Sequence, residues 1–335
     1  MTKPLISAPD PGGPFSDLGL FRDMKRFLIR QAFLIFPVAL LVSLLAFSLV
    51  RVFPSDVVAS YLKAHQQTYT PENVAMVKAR LGLDKPIIEQ YFDWLKNAAR
   101  FDFGLSYYGN LKVSNIILMG LKSTLQLTMA TIVWLLAVTY FLGVYAAKKP
   151  NGLVDNLSRI VAILGNAVPI FVVGFLLIQI FALKLGWLPV SGKLSLKHVI
   201  LPSLTLALGN ICVYARMLRN EMLDNAEKPY VFYAKARGLR TPWIFRKHVF
   251  KNSLLPMAGT SGICFGHLIC GSVIVENVFA WPGLGSIITY AILSRNYPVI
   301  QGYVVCVALI FIVANLLSDI LTALLDPRVR LGSAL

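Results

Sequence analysis

Apolar residues run along this chain in blocks too long for a soluble core, and polar residues gather between the blocks instead of alternating within them. Six blocks approach the roughly 20 residues that a helix needs to cross the hydrocarbon of a bilayer. They cover about 31–50, 123–147, 160–183, 198–215, 254–277 and 300–322. No solvent partners an open backbone amide in hydrocarbon, so each block is expected to be a helix. The fold class that follows is an all-α membrane protein with six transmembrane helices. Pro202 and Gly209 interrupt the fourth block, which is tolerable where neighbouring helices cover the backbone.

Polar stretches between the blocks predict further elements. In "TPENVAMVKARLGL", Thr70 is placed as an N-cap, Pro71 as the first helical residue and Gly82 just past the end, so a short helix is expected over about 71–80. "IIEQYFDWLKNAA" (87–99) has the spacing of an amphipathic helix lying on the membrane surface or on other helices. The first apolar block follows a polar, Pro- and Gly-rich start and Lys25, Arg26 and Arg30. It is too long for a signal-peptide core and lacks a small-residue cleavage site, so it reads as an uncleaved span.

Composition agrees with this pattern. The 335 residues are 56% hydrophobic and 14% charged, with a mean hydropathy of +0.66, which excludes an ordinary soluble domain. The net charge of +16 lacks the aromatic-interleaved patches of a nucleic-acid binder, so nucleic acid is not an expected partner. The positive residues flank apolar blocks instead and set orientation. Lys148, Lys149 and Arg159, the basic stretch from Arg216 to Lys251, and Arg328 and Arg330 all mark the cytoplasmic side. With six spans, both termini then lie in the cytoplasm. All four cysteines (Cys212, Cys264, Cys270 and Cys306) fall in apolar stretches, which argues against a disulfide framework or a zinc ribbon.

Candidate chemistry is sparse. "GLKST" (120–124) has the end of a phosphate-binding loop, but Leu121 stands where glycine is required and a membrane span follows, so ATP binding by this chain is excluded. Neither a metalloprotease His pair nor a G-x-S-x-G elbow occurs, so the chain is not expected to be an enzyme. In the fifth block Cys264, His267 and Cys270 recur at i, i+3 and i+6, within about a third of the helix circumference. Two readings stand side by side: a soft site along a translocation path, with His267 as a possible metal ligand, or two small packing cysteines and a hydrogen-bonded histidine. Glu276 and Asp319, near span ends, are expected to cap helices or to pair near an interface.

The basic stretch "YAKARGLRTPWIFRKHVFKNSLLP" (233–256) is helix-prone, with an apolar face expected from Trp243, Phe245, Val249 and Phe250. It resembles the EAA loop of type I ABC importer permeases, in the dipeptide, oligopeptide and nickel branch. Ala234 and Gly238 match the loop's second alanine and its glycine, and Leu255-Pro256 match the closing "LP". Phe232 and Tyr233 stand where the general motif has Glu and the first Ala. "LGLDKP" (81–86), "QYFDWL" (90–95), "DFGLS" (102–106), "ENVFAWPGLG" (276–285), "RNYPVIQG" (295–302) and "LLDPRVR" (324–330) are similar to that branch in the same order.

The resemblance implies a permease subunit of the bacterial cytoplasmic (inner) membrane. Its implied partners are a second homologous permease, two ABC ATPases that use ATP and Mg, an extracytoplasmic solute-binding protein and membrane lipid. It divides the chain into a cytoplasmic tail (1–27), a first transmembrane helix (28–51), an extracytoplasmic segment (52–116), a type I transmembrane domain (117–325) with a cytoplasmic loop (216–253), and a cytoplasmic tail (326–335). Coupling to the ATPase is implied for Tyr233, Ala234, Lys235, Ala236, Arg237, Gly238, Leu239 and Arg240, with Gly238 allowing a close turn and Ala234 and Ala236 keeping the docked face thin. No cofactor is implied for this chain. His267 between two cysteines favours a nickel or metal-chelate cargo. A dipeptide or oligopeptide importer is the alternative within the family, and a stand-alone secondary transporter or channel is the alternative outside it.

Overall fold

The computed structural model of the chain describes residues 36–48 and 57–325. The tails, the ends of the first expected span and most of "LLDPRVR" lie outside the described residues, and the expected cytoplasmic termini lie there too. No β-sheet forms among the described residues, where one isolated bridge joins Leu105 and Lys112. Helix α1 covers Phe36–Ser48. The polar segment that follows folds into α2 (Val57–Ala64), α3 (Pro71–Arg80) and α4 (Ile87–Ala98).

Local chemistry sets these short helices. Thr70 sits in an extended conformation and its hydroxyl accepts the Asn73 amide at 3.3 Å, Pro71 opens α3, and Gly82 takes φ +65° past its end. The amphipathic α4 packs on another helix, one of the two surfaces expected for it. Tyr91 and Trp94 pack on Phe47 of α1, with ring centroids 5.3 and 6.0 Å away, and the Tyr91 hydroxyl shares a 2.8 Å hydrogen bond with Ser43. Ile88 and Phe92 remain exposed. Helix α2 has no counterpart among the sequence expectations, because its apolar residues make sense only against Val77 of α3 and Tyr107, whose ring meets Tyr61 edge-on at 5.4 Å.

Four described helices are long and apolar enough to cross a membrane: α5 (Val113–Lys148), α8 (Lys197–Ala226), α12 (Leu255–Val278) and α14 (Tyr297–Leu325). At 1.5 Å per residue α5 is about 54 Å long, well beyond a hydrocarbon core of about 30 Å. It begins ten residues before the apolar block at 123 because Val113 and Ile117 bury against Leu284, Ala291 and Val299 outside the apolar block. Likewise α8 runs past 215, keeping Leu218 and Met222 buried to its end. The third block is not one continuous helix. It divides into α6 (Leu153–Ala167) and α7 (Ile170–Leu177) at Val168-Pro169, with a π-helical turn over Ile178–Lys184, since proline cannot donate to the preceding turn.

Small residues bring the long helices together, as expected where lipid supplies no hydrophobic drive. A methyl group on Gly262 of α12 would stand 2.9 Å from the Ala314 carbonyl oxygen of α14, and one on Gly266 would stand 2.3 Å from the Phe311 ring. Ser318 donates across the same contact to the Ala258 carbonyl at 3.0 Å. Between α6 and α8, Asp155 accepts Arg219 Nε at 2.9 Å and Nη2 at 2.7 Å, and also the Asn151 amide at 2.8 Å. The Arg219 guanidinium and then the Asn151 amide hold the Asp155 carboxyl below its ordinary range against the opposing effect of burial.

Asp155→Asn is expected to lower the unfolding free energy by about 2 kcal/mol, the scale of hydrogen bonds to a charged group, read as a lower Tm in detergent. Because the folded pKa is depressed, the contribution is complete above about pH 4, the unfolded value, and is lost as pH falls through the lower folded value. An unchanged Tm at pH 7 would show that the pair does not hold α6 to α8.

Candidate functional site

The basic stretch forms α9 (Pro229–Ala236), a turn, α10 (Thr241–Ile244), a π-helical turn (Phe245–Phe250) and α11 (Lys251–Ser253), which leads into α12. Pro229 opens α9, where a missing amide costs nothing. The helix ends with Gly238 at φ +75°, where the Gly238 amide donates to Lys235 O at 2.9 Å and the Leu239 amide to Ala234 O at 3.2 Å. These paired bonds close the helix end and need a residue at ease in the left-handed region. The turn expected of Gly238 is therefore present.

Helix α9 rests on its own protein through Val231 and Ala234, one turn apart, against Met222, Ile244 and Val249. Tyr230 adds a 2.7 Å hydrogen bond to Asn225. Ala234 is 7% exposed, so the expectation that it thins the docked face is corrected: it anchors the helix from behind. Tyr233, Lys235, Ala236, Arg237, Gly238, Leu239 and Arg240 share one exposed surface with Phe232, which is 71% exposed. Phe232 is absent from the residues implied for coupling, and its signal was an aromatic pair on a short polar helix. The apolar face of the following stretch is Ile244 and Val249, with the expected Phe245 and Phe250 partly buried against the same cluster. Trp243 turns outward to meet His248 at 5.2 Å, and Lys247 lies 5.3 Å from its ring.

At the opposite end a second constellation joins α5 to α12 and to α13 (Leu284–Leu293), an apolar helix absent from the six expected spans. Glu276 is fully buried. Its Oε1 accepts the Thr124 hydroxyl at 2.7 Å and its Oε2 accepts the Gly285 amide at 2.6 Å and the Ser286 amide at 3.4 Å. Thr124 Oγ1 in turn accepts the Leu284 amide at 2.8 Å. The first amides of α13, unpaired within any helix, are thus satisfied by one carboxyl and one hydroxyl. Glu276 caps a helix, as expected, although the helix is a neighbour's and not its own.

Glycines let these pieces approach. A methyl group on Gly283 would lie 2.3 Å from the Glu276 carboxyl, one on Gly285 2.4 Å from the Val273 backbone, and one on Gly120 2.3 Å from Ile287. Trp281 Nε1 donates to the Ser123 carbonyl at 3.0 Å. "GLKST" and "ENVFAWPGLG" are therefore the two halves of one junction. A second pairing lies beside it: Asn296 Nδ2 donates to Ser106 at 2.8 Å, and Asn296 Oδ1 accepts the Tyr107 amide at 3.2 Å, joining "DFGLS" to "RNYPVIQG".

The three candidate path residues of α12 are not brought into one site. Cys264 is buried beside an apolar groove of about 990 Å³, lined in part by Leu135, Phe265 and Leu317, whereas His267 and Cys270 are exposed. Among the described residues no group of three His, Cys, Asp or Glu side chains is arranged to hold a metal ion.

Long apolar helices, an exposed basic helix and a buried junction at the opposite end fit the membrane subunit of a type I ABC importer. The chain belongs to the family of binding-protein-dependent transport system inner membrane components, whose model matches residues 139–331, with the N-terminal model of the same systems matching residues 24–128. It is 36% identical over 307 residues to the glutathione transport system permease protein GsiC of Escherichia coli and of Shigella dysenteriae, covering 92% of this chain and 99% of those proteins. Its fold is similar to that of the MetNI methionine ABC transporter in an inward-facing conformation, with a TM-score of 0.53 and 19% identity over 63% of this chain and 96% of that chain. The chain is a multi-pass inner-membrane permease subunit and is not itself an enzyme.

Glu276→Leu leaves the donors of Thr124, Gly285 and Ser286 unmatched in a buried site, and is expected to cost about 3 kcal/mol or more. A Tm equal to that of the wild type would sink the assignment of Glu276 as the cap of α13.

Proposed function

We propose that this chain is the permease of an ATP-driven importer of short peptides of the glutathione class. The observation that carries the reading is the 36% identity, over nearly the whole of both chains, to permeases named for glutathione transport. The dispersal of Cys264, His267 and Cys270 over buried and exposed positions gives no comparable support to nickel or a metal chelate, the cargo favoured by residue spacing alone.

In this reading six passes, through α1, α5, the α6–α7 pair, α8, α12 and α14, form one half of the membrane unit, with both termini in the cytoplasm. A second similar permease forms the other half, two ATPases supply ATP hydrolysis with Mg, and an extracytoplasmic binding protein delivers cargo. Helix α9 docks on an ATPase through Phe232, Tyr233 and the cations from Lys235 to Arg240. Coupling requires contact energy that differs between two states of the ATPase pair. A helix pinned by Val231, Ala234 and the Tyr230–Asn225 bond passes that difference to α8 and α12 as rigid-body motion.

The test is uptake of labelled glutathione and of labelled nickel in cells lacking the chain and in cells given it back. Restored glutathione entry supports the peptide reading, and restored nickel entry with no effect on glutathione overturns it. Gly238→Asp is expected to reduce uptake more than tenfold while leaving membrane insertion intact. A Cβ at Gly238 meets nothing within 4 Å, and aspartate tolerates the left-handed region better than most residues. The loss would therefore report the docking contact, and normal transport by a well-expressed variant would remove α9 from the coupling role.

A further inference from the structure

Cations on the outer side of a bacterial membrane protein run against the usual charge bias. The loop between α7 and α8 is short, yet it carries Lys193 and is flanked by Lys184 and Lys197, with no Asp or Glu anywhere between Asp155 and Glu221. Lys122 of α5 joins them from across the junction. It directly precedes Ser123, whose hydroxyl holds Lys193 at 2.8 Å, and burial, followed by the like charge of Lys122, pulls the Lys193 ammonium below the ordinary lysine range.

Lys193 is held in place. Its Nζ donates to Ser123 Oγ at 2.8 Å and lies 5.2 Å from the centroid of the Trp281 ring, which is 3% exposed. The loop that carries it is pinned by the Gly192 amide, which donates to the Phe279 carbonyl at 2.9 Å. A lysine serving only lipid would stretch outward along the surface, whereas this one folds back over the junction. The described ion pairs join Lys85 to Asp93 and Asp155 to Arg159 and Arg219, so neither junction lysine has one. Glu276, the carboxyl of the junction itself, has its oxygens taken by Thr124, Gly285 and Ser286.

We propose that Lys122 and Lys193 receive a carboxylate of the cargo at the extracytoplasmic mouth, which makes them specificity-determining residues for anionic peptides. The proposal rests on the peptide reading above. A carboxylate between two like charges replaces their repulsion by charge-assisted hydrogen bonds. Trp281, Ser123 and the pinned loop hold Lys193 ready beforehand, so little ordering is left for the moment of binding.

The experiment uses the whole transporter with its binding protein in vesicles, with and without phosphatidylglycerol, and glutathione as the probe. Uptake and binding-protein-stimulated ATP hydrolysis are followed together. Lys193→Gln and Lys122→Gln are each expected to lower uptake about tenfold, the effect of one charge-assisted contact. Hydrolysis should fall less than twofold, and Lys193→Arg should keep most of the uptake. Since Lys122 is exposed, its variant tests the idea even if Lys193→Gln fails to fold. Unchanged uptake in Lys122→Gln, equal losses of uptake and hydrolysis, or an arginine variant as poor as the glutamine one would each overturn the proposal. A defect confined to vesicles with phosphatidylglycerol would assign the lysines to lipid and overturn it as well. No glutathione uptake by the wild-type transporter would instead bring down the peptide reading, and this inference with it.

Discussion

A backbone amide in hydrocarbon has no partner beyond its own chain, and the architecture of this protein follows from where its helices stop. Each interruption exposes amides or carbonyls that something else must satisfy. After Val278 the chain turns back, and the first amides of α13 go to Glu276 and Thr124. After α9 the carbonyls of Ala234 and Lys235 accept from the turn itself. At Pro169 a new helix starts, and its early amide at Val172 returns to the Pro169 carbonyl at 2.9 Å. The sites of interest are these interruptions, because there polar side chains must satisfy backbone groups that the helices leave open.

The interruptions at the two faces are tied by the helices between them. Helix α5 carries Thr124 toward its first end and Gly143 toward its last, where a methyl group would stand 2.9 Å from Leu218 of α8. Helix α8 continues to Met222, which supports α9. Contacts this close shift as blocks instead of deforming smoothly. The two faces also differ in how they use charge. At one, Asp155 neutralises Arg219 and fastens α6 to α8. At the other, Lys193 is fixed by a hydroxyl and a ring, with no counter-ion among the described residues.

The helical class, the membrane setting and the exposed basic helix α9 were legible in the sequence because each depends on runs of like residues or on local caps. Thr70, Pro71 and Gly82 announced α3 before any contact was known. Residue spacing was a poorer guide to chemistry. Cys264, His267 and Cys270 share a third of a helix circumference, yet the bundle buries the first and exposes the others, since what lies beside each residue depends on neighbouring helices. For the same reason Ala234, a motif residue, proved to face inward.

Hydrophobic runs and basic flanks are properties of the chain read in one dimension, so the sequence by itself determined that this protein crosses the membrane as helices and carries an exposed cationic helix between two of them. Which distant residues meet is a property of packing. "GLKST" looked like a failed phosphate loop until α13 was seen to seat its amides on Thr124 and Glu276, residues 152 positions apart in the chain. Only the tertiary structure could make that pairing, because a buried carboxyl selects its donors by distance and leaves no periodicity behind in the sequence.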